Sequence, residues 1–520
     1  MRKLILIYLL YIVSGVSPVS AQKYDNTWLW GAEPQLQDSF IYAGNGEATF
    51  PNNIFFPYSK FRNTVFFATN TSVSDGNGNL LFFTNGMRIK DTTNNVILNG
   101  DSINHGQFWE YCKNKEEGLG LFSYYVPYSH FFLPQPENDS IYYLFHIRGD
   151  TVPPIWKGSV CYSVVKRQAN GAYEVILKNQ LLSNLRPTYG GVSACKHGNG
   201  RDWWISFNQV GTNCVHFYLL NSDSLSFSHT ACLGEILDYT ENVKSYFSLD
   251  GSCFVKTGSA HGTDIFRFNR CEGELIFFTH LSPIFEVDSA SGGIVDVVIG
   301  SEVSSMNKFL YVNTAKFVFQ YDLDTIDIEA SLDTVGVVDN FIDTLGTPGP
   351  YYFNLTQFGP DGKIYIAARI NCRWMSTIER PDSSGQQCNV IVRSTLLPRL
   401  NGWSIPYFPN YRLGRMLGSA CDTIYNDIHP IYTQTPWLKV YPNPATDIVR
   451  FDYNWLEWEK ITDAKLQIID LQGIVAYQQA LPKYSTRQDV TIKQLATGVY
   501  TVSIQDGNKK IAVSKLTKVE

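Results

Sequence analysis

Phe247-Ser248-Leu249-Asp250-Gly251-Ser252-Cys253-Phe254-Val255 and Phe358-Gly359-Pro360-Asp361-Gly362-Lys363-Ile364-Tyr365-Ile366 are two copies of one phrase. Each is a polar turn around Asp-Gly followed by a strand of aromatic and β-branched residues, the types that suit a pleated, half-buried surface. Val303-Ser304-Ser305-Met306-Asn307-Lys308-Phe309-Leu310-Tyr311-Val312 lies between them in the same phase. The copies begin at 247, 303 and 358, so they stand 56 and 55 residues apart. Upstream, Asp202-Trp203-Trp204-Ile205, Ile141-Tyr142-Tyr143-Leu144-Phe145 and Leu80-Leu81-Phe82-Phe83 continue the series at steps of roughly 50 to 60 residues.

Such a period suits a four-stranded blade, because a lone sheet cannot cover its own faces and must stack on neighbours around an axis. Six units are visible, and the aromatic stretch at Ile54-Phe55-Phe56 offers a seventh. Ile265-Phe266-Arg267-Phe268-Asn269 and Val318-Phe319-Gln320-Tyr321-Asp322 read as the second strands of their blades. The expected fold is all-β: a six- or seven-bladed propeller-like domain over residues 22–430. Two tandem sandwiches are the competing architecture, and the even spacing favours the propeller.

Composition agrees. Charged residues are 17% of the chain, against 31 Tyr, 32 Phe, 39 Gly and only 5 Met. That balance points to a β-rich extracellular protein. A net charge of −6 gives no reason to expect nucleic acid or an anionic membrane as partner. The ten cysteines (112, 161, 195, 214, 232, 253, 271, 372, 388 and 421) are an even number, compatible with disulfides in an oxidising compartment. Spacing does not fix their pairing; Cys372 with Cys388, and Cys195 with Cys214 on adjacent strands, are two pairings it allows. All ten precede residue 430, which supports a boundary with a linker at 431–437.

The last segment, 438–520, has a different character. Pro442 and Pro444 flank Asn443, fixing φ and removing amide donors, so this stretch is a stiff linker or sheet edge. Tyr500, Val502 and Ile504 share one strand face and Thr501 and Ser503 the other. Asp506-Gly507 then supplies a hairpin turn into Ile511-Ala512-Val513. Several such strands make a small Ig-like β-sandwich.

Four boxes occur here in fixed order. They are Val440-Tyr441-Pro442-Asn443-Pro444, the strand and turn Leu466 to Gly473 with Asp470, Leu495-Ala496-Thr497-Gly498-Val499-Tyr500, and the basic strand Lys509 to Lys518 with Lys515. Together they resemble the type A C-terminal sorting domain of the type IX secretion system of Bacteroidota. The resemblance implies that the type IX machinery is a partner. It implies that Tyr441, Pro442, Asn443, Pro444, Asp470, Gly473, Leu495, Gly498, Tyr500 and Lys515 form the sorting motif, and that the protein is secreted or displayed at the cell surface.

The other end is consistent. Met1-Arg2-Lys3 is a basic n-region, Leu4 to Val13 an apolar h-region, and Val19-Ser20-Ala21 a small-residue cleavage site, so residues 1–21 read as a signal peptide for Sec-type export. No later run reaches the ~20 apolar residues of a membrane-spanning helix. Between these ends, Ser193 to Trp204 and Pro409-Asn410-Tyr411-Arg412-Leu413-Gly414 resemble signatures of large, mostly uncharacterised Bacteroidota secreted proteins with propeller-like repeats. That family offers no activity to carry over.

The chemistry-bearing motifs are few. There is no P-loop, His-Glu-x-x-His or Gly-x-Ser-x-Gly, and no catalytic, cofactor-binding or metal residue is nominated. Cys195-x-His197 and Cys214-x-His216 could each present two zinc ligands on one strand face, but exported cysteines more often form disulfides. Asp75-Gly76-Asn77-Gly78-Asn79 lacks the later bidentate carboxylate of a calcium loop and reads as a hairpin turn. Asp followed by Ser or Thr recurs at Asp91, Asp101, Asp139, Asp150, Asp223, Asp288, Asp324, Asp333, Asp343 and Asp422. It resembles the O-glycosylation acceptor of exported Bacteroidota proteins, with Thr92 and Thr325 as examples; Asx turns favour the same residues.

Two classes of function fit. The first is a surface or secreted binding protein whose propeller recognises a glycan or protein ligand, for which aromatic faces are suited. The alternative is a polysaccharide-active hydrolase or lyase with paired carboxylates in the propeller channel. The absence of a catalytic motif favours binding, and propellers host both classes.

Overall fold

The computed structural model describes residues 22–32, 44–60, 62, 64–115, 123–152, 157–237, 242–287, 294–344, 349–422, 437–454, 463–482, 487–507 and 509–519. The expected signal peptide, most of the expected linker and Asp288 lie outside the described residues. Six antiparallel blades follow one another along the chain, the third and fourth joined in one eight-stranded sheet by a short parallel pairing of Tyr189 and Gly190 with Asn242 and Val243. Blade one has strands Thr71–Ser74, Leu80–Thr84 and Ile89–Asp91. Blade two has His130–Gln135, Asn138–Gly149, Gly158–Arg167 and Tyr173–Ser183. Blade three has Pro187–Lys196, Trp203–Gln209, Cys214–Leu220 and Leu225–Cys232. Blade four has Asn242–Phe247, Cys253–Gly258, Gly262–Asn269 and Glu274–Leu281. Blade five has Gly300–Val303, Phe309–Asn313, Phe317–Asp322 and Asp333–Val337. Blade six has Phe353–Phe358, Ile364–Ala368, Cys372–Ile378 and Val390–Asn401.

The repeated phrase spans the first-to-second strand turn of every blade, and one backbone geometry explains its residues. At Ser248, Gly251 and Cys253, Ser248 N donates to Cys253 O and Gly251 N to Ser248 O; Ser304, Asn307 and Phe309 repeat the pattern, as do His197, Gly200 and Asp202. Every one of these turns holds a residue with positive φ: Gly78, Glu137, Gly200, Gly251, Asn307 and Gly362, between 55° and 95°. Glycine and asparagine take that conformation at least cost, which is why Asp-Gly and Met-Asn mark the repeat. Asp75 Oδ1 accepts from the amides of Asn77 and Asn79, so Asp75 to Asn79 is the equivalent hairpin turn of blade one. Ile265–Asn269 and Val318–Asp322 fall on the third strand of their sheets, not the second, because the strand before each turn is itself the innermost one.

Burial falls from the inside outward. Phe353–Phe358, Ile364–Ala368 and Gly300–Val303 are buried at every position, whereas Leu225–Cys232 is mostly exposed. Neighbouring blades are stitched by polar contacts: Asn208 Nδ2 donates to Ser245 Oγ (3.0 Å), Ser301 Oγ to Thr257 Oγ1 (2.8 Å) and Asn313 Nδ2 to Asn354 O (2.9 Å). An N-terminal sheet of Thr27–Ala32, Gly44–Thr49 and Phe56–Ser59 fits between blades six and one. The Trp28 ring lies 5.2 Å from that of Tyr365, and Ser72 Oγ donates to Thr27 O. The fold is all-β and propeller-like.

The axis of this ring is filled by the chain itself. After blade six, Gly402 to Arg412 run along the innermost strands. Asn70 Nδ2 donates to Ser404 Oγ, Tyr407 N donates to Asn70 O, and Thr71 Oγ1 donates to Tyr407 O. The Tyr407 hydroxyl reaches both Val192 O (2.8 Å) and Ser245 O (3.0 Å), and the Tyr411 hydroxyl donates to Phe132 O. Beyond it, Arg412 pairs with Asp25, Arg270 Nη2 donates to Gly414 O, and Met416 N donates to Gly198 O. A Cβ on Gly198 would lie 2.3 Å from Cys421 Sγ, so the turn needs glycine there.

The disulfides are Cys214–Cys232 and Cys271–Cys421. Neither pairing suggested by spacing forms. Cys195 is opposite Trp204, with the whole strand Trp203–Gln209 between it and Cys214, while Cys214 faces Cys232 directly in register. Cys388 lies past the Ile378 end of its hairpin, about six residues or ~20 Å from Cys372. Cys271–Cys421 instead bolts the end of the axial segment to blade four.

The C-terminal strands form two facing sheets. Trp437–Tyr441, Ile448–Asn454 and Arg487–Thr491 make one; Val475–Ala480, Ala464–Ile469, Gly498–Asp506 and Lys509–Lys518 make the other. Val449, Phe451, Leu466, Ile468, Val502, Ile504 and Leu516 are buried between them, an Ig-like sandwich. Among the described residues no helix is long and apolar enough to cross a membrane.

Blade two encloses a closed polar chain. His146 Nδ1 donates to Asn104 Oδ1, Asn104 Nδ2 donates to His130 Nε2, and His130 Nδ1 meets Ser129 Oγ, while Ser163 Oγ sits 3.1 Å from His146 Nε2. Burial holds both imidazoles neutral, His130 well below its ordinary pKa and His146 down to about 3. Two predictions follow from the core. Tyr407→Phe should lower unfolding stability by about 1–2 kcal/mol in equilibrium denaturation, since two axial carbonyls lose their donor. The unfolded histidines take up protons near pH 6.5 that the folded ones refuse, so this stability is complete above that pH and declines as pH falls toward 3. His146→Gln should therefore show a shallower loss of denaturation midpoint between pH 7 and 4 than the native chain.

Candidate functional site: an aromatic cleft at one mouth of the ring

Where the axial segment begins, a cleft of about 670 Å³ opens. It draws residues from several elements: Phe67 and Ala68 before blade one, Tyr111, Tyr125 and Tyr128 before blade two, Tyr189 of blade three, Lys244 of blade four, Arg369 after the second strand of blade six, and Trp403. The Phe67 and Trp403 rings stack at 5.4 Å and 24°, and Tyr125 meets Phe67 edge-on at 4.8 Å. Phe67 also bridges Gly402 in parallel, which fixes the pair to the axial chain. Trp403 remains 39% exposed.

The backbone here is held in an unusual way. Among the described residues, six other than Gly and Asn have positive φ: Ala68, Ser102, Tyr128, Glu137, Arg393 and Trp403. Ala68 (59°), Tyr128 (51°) and Trp403 (58°), half of that set, line this one cleft. Each such conformation costs about 1 kcal/mol or more and persists only where surrounding contacts impose it. For Tyr128 those contacts are the bond from its hydroxyl to Thr356 O and the one it accepts from Thr356 N.

Lys244 forms the floor. Its Nζ pairs with Glu302, donates to Ser301 O (2.9 Å) and Thr356 O (3.1 Å), and lies 4.9 Å from the Tyr128 ring centre and 4.7 Å from that of Tyr246. Burial pulls the lysine below its ordinary pKa and lifts Glu302 above its own, and each charge opposes the other's shift. On the far side of Lys244 a small second cavity lies between Asp25, Glu302, Gln357, Tyr407 and Arg412. Its carboxylates are committed, Asp25 to Arg412 and Glu302 to Lys244.

No local pattern marks this cleft; only the abundance of aromatics pointed toward a recognition surface. The Cys-x-His pairs do not converge. Cys195 is packed in an apolar cluster, Cys214 is in a disulfide, His216 contacts Thr230 Oγ1 and Gln209 Oε1 at 2.8 Å, and His197 Nε2 is 2.9 Å from Cys271 O. Among the described residues no group of three or more His, Cys, Asp or Glu is placed to hold a metal. Asp91 Oδ1 accepts from the amides of Thr93 and Asn95, so the Asp-Thr sequence at Asp91-Thr92 forms an Asx turn with Thr92 exposed.

In the C-terminal sandwich the motif residues interlock. Asn443 Nδ2 donates to Lys515 O (2.7 Å), and Asn443 Oδ1 accepts from Thr517 N (2.8 Å), tying the Pro-Asn-Pro turn to the last strand. Pro442 and Pro444 both follow cis peptide bonds. The Tyr441 hydroxyl bonds to Asp452, which Arg487 also grips. Asp470 Oδ1 accepts from Gln472 N and Ile474 N around Gly473, whose φ is +84°. Leu495 is buried, the Tyr500 hydroxyl donates to Ala496 O, Gly498 pairs with Lys518, and Lys515 is exposed opposite Thr501. Asn443→Ala should speed amide exchange at Thr517 about tenfold, as measured by hydrogen exchange, because ~1.4 kcal/mol of local protection is removed.

Residues 439–518 match the family described as the secretion system C-terminal sorting domain. Comparison with curated proteins gives no significant match. Among solved structures, a candidate 6-phosphogluconolactonase from Bacteroides fragilis is 12% identical with a TM-score of 0.38, over 75% of this chain and 100% of that one. A functionally unknown protein from Desulfotomaculum acetoxidans is 13% identical with a TM-score of 0.36, over 74% and 99%. PorZ of Porphyromonas gingivalis, an essential surface component of the type IX secretion system, is 12% identical with a TM-score of 0.27, over 73% and 58%. The C-terminal sandwich of this chain is thus a type IX secretion sorting domain, and the protein that carries it is one secreted or attached at the cell surface.

Proposed function

We propose that this exported protein is a binding protein whose propeller-like domain, residues 22–430, recognises a glycan in the aromatic cleft. On this reading residues 431–437 are a linker, and residues 438–520 with the motif from Tyr441 to Lys515 are what the type IX machinery handles. The observation that carries it is the convergence of Phe67, Tyr125 and the exposed Trp403 on three strained backbone positions. Strain that three separate loops keep at one place is the mark of a surface held ready, and pre-ordered aromatic faces bind at low entropic cost.

The hydrolase or lyase alternative asks for two carboxylates flanking the substrate. The described lining of the cleft contains no Asp or Glu, and the axial channel is occupied by Gly402 to Arg412. Binding is the reading these residues support. O-glycosylation of exposed acceptors such as Thr92 is compatible with it.

The test is a glycan and protein array probed with the full chain and with Trp403→Ala. Carbohydrate hits should weaken about tenfold or more in the variant, the loss of one well-packed aromatic anchor. Hits that ignore Trp403, or hits confined to proteins, would refute the proposal.

A further inference from the structure

The charge of the same cleft points to one kind of ligand, an inference that rests on the glycan-binding reading. Its described lining holds two cations, Lys244 and Arg369, and no Asp or Glu. The two are not equivalent. Lys244 is buried, and its charge is met by Glu302 and by two carbonyls. Arg369 is exposed; its backbone N–H donates to Tyr352 O, and among the described residues no carboxylate pairs with its guanidinium.

Several other arginines of this protein are held by carboxylates. Arg62 is paired with Glu47, Arg201 with Asp202, Arg412 with Asp25, and Arg393 makes a two-pronged contact with Asp339. The planar fork of a guanidinium matches two oxygens of a carboxylate or sulfate, and the charge is permanent at any physiological pH. In the same cleft, Trp403 and Phe67 supply the apolar face against which a sugar ring packs. A neutral sugar would use the aromatic face and leave the fork empty.

We infer that the cleft selects an anionic saccharide, one bearing a carboxylate or sulfate, and that Arg369 is its specificity-determining residue.

Titration calorimetry on the full chain separates the possibilities, with hexagalacturonate, a sulfated galactan hexamer, cellohexaose and an acidic hexapeptide as probes. Arg369→Gln, Arg369→Lys and Trp403→Phe are the variants. The native chain should bind at least one acidic sugar about tenfold or more tighter than cellohexaose, since hydrogen bonds to a charged group are the stronger kind. Arg369→Gln should erase that preference, bringing the acidic sugars down to the affinity the same variant shows for cellohexaose, and Arg369→Lys should restore part of it. Raising ionic strength should weaken only the acidic sugars. Carboxylated and sulfated probes binding unequally would identify which anion the fork takes. Equal native affinity for acidic and neutral sugars, or a preference that survives Arg369→Gln, overturns this inference and leaves glycan binding standing. Binding of no sugar, or tighter binding of the acidic peptide, overturns both.

Discussion

The ring depends on what fills its axis. Innermost strands such as Gly300–Val303 and Phe353–Phe358 are buried at every position, so their inward polar groups must find partners without water. Tyr407 supplies part of the answer with one hydroxyl shared between Val192 O and Ser245 O, carbonyls of two different blades. The same segment contacts Asn70 and Thr71 of blade one and Phe132 of blade two. One stretch of chain thus serves as a common core for several sheets. Cys271–Cys421 keeps its far end from peeling away.

The same constraint builds the cleft. Because Gly402 to Arg412 enter the axis from one mouth, the first residues of the segment must turn sharply there, and Trp403 does so with φ of 58°. Its ring is carried onto Phe67, and Tyr128 is held beneath by Thr356 of blade six. Lys244 and Glu302 then close the floor, a buried pair that is tolerable because carbonyls of Ser301 and Thr356 take up the remaining ammonium hydrogens. The floor therefore separates the cleft from the small cavity on the far side of Lys244, and the filled channel is a structural part.

Much of the fold could be read from local patterns because its repeats are local. The turn phrases near 80, 141, 203, 247, 303 and 358 each fall at the first-to-second strand junction of a sheet. They are visible wherever the left-handed position holds Gly or Asn; Glu137 occupies the same position in blade two and gives no such signal. Strand numbering slipped by one at Ile265 and Val318, since a strand preceding its turn carries no mark of being innermost. The disulfides were misassigned for a related reason. Proximity along the chain suggested Cys195 with Cys214, but register places a whole strand between them, and the partner of Cys271 lies 150 residues away.

By itself the sequence determined that the chain is all-β, built on a period near 55 residues, and closed by a sorting sandwich whose boxes from Tyr441 to Tyr500 are contiguous words. Those properties live within single strands, turns and hairpins, where side-chain alternation and backbone preference are enough. Only the tertiary structure decided that the axis is plugged, that Phe67, Tyr125 and Trp403 meet, and that Arg369 lines the same cleft. Those residues are separated by up to 336 positions, from Phe67 to Trp403, and no local preference links them. What brings them together is the closing of the ring, which happens only when every blade is in place.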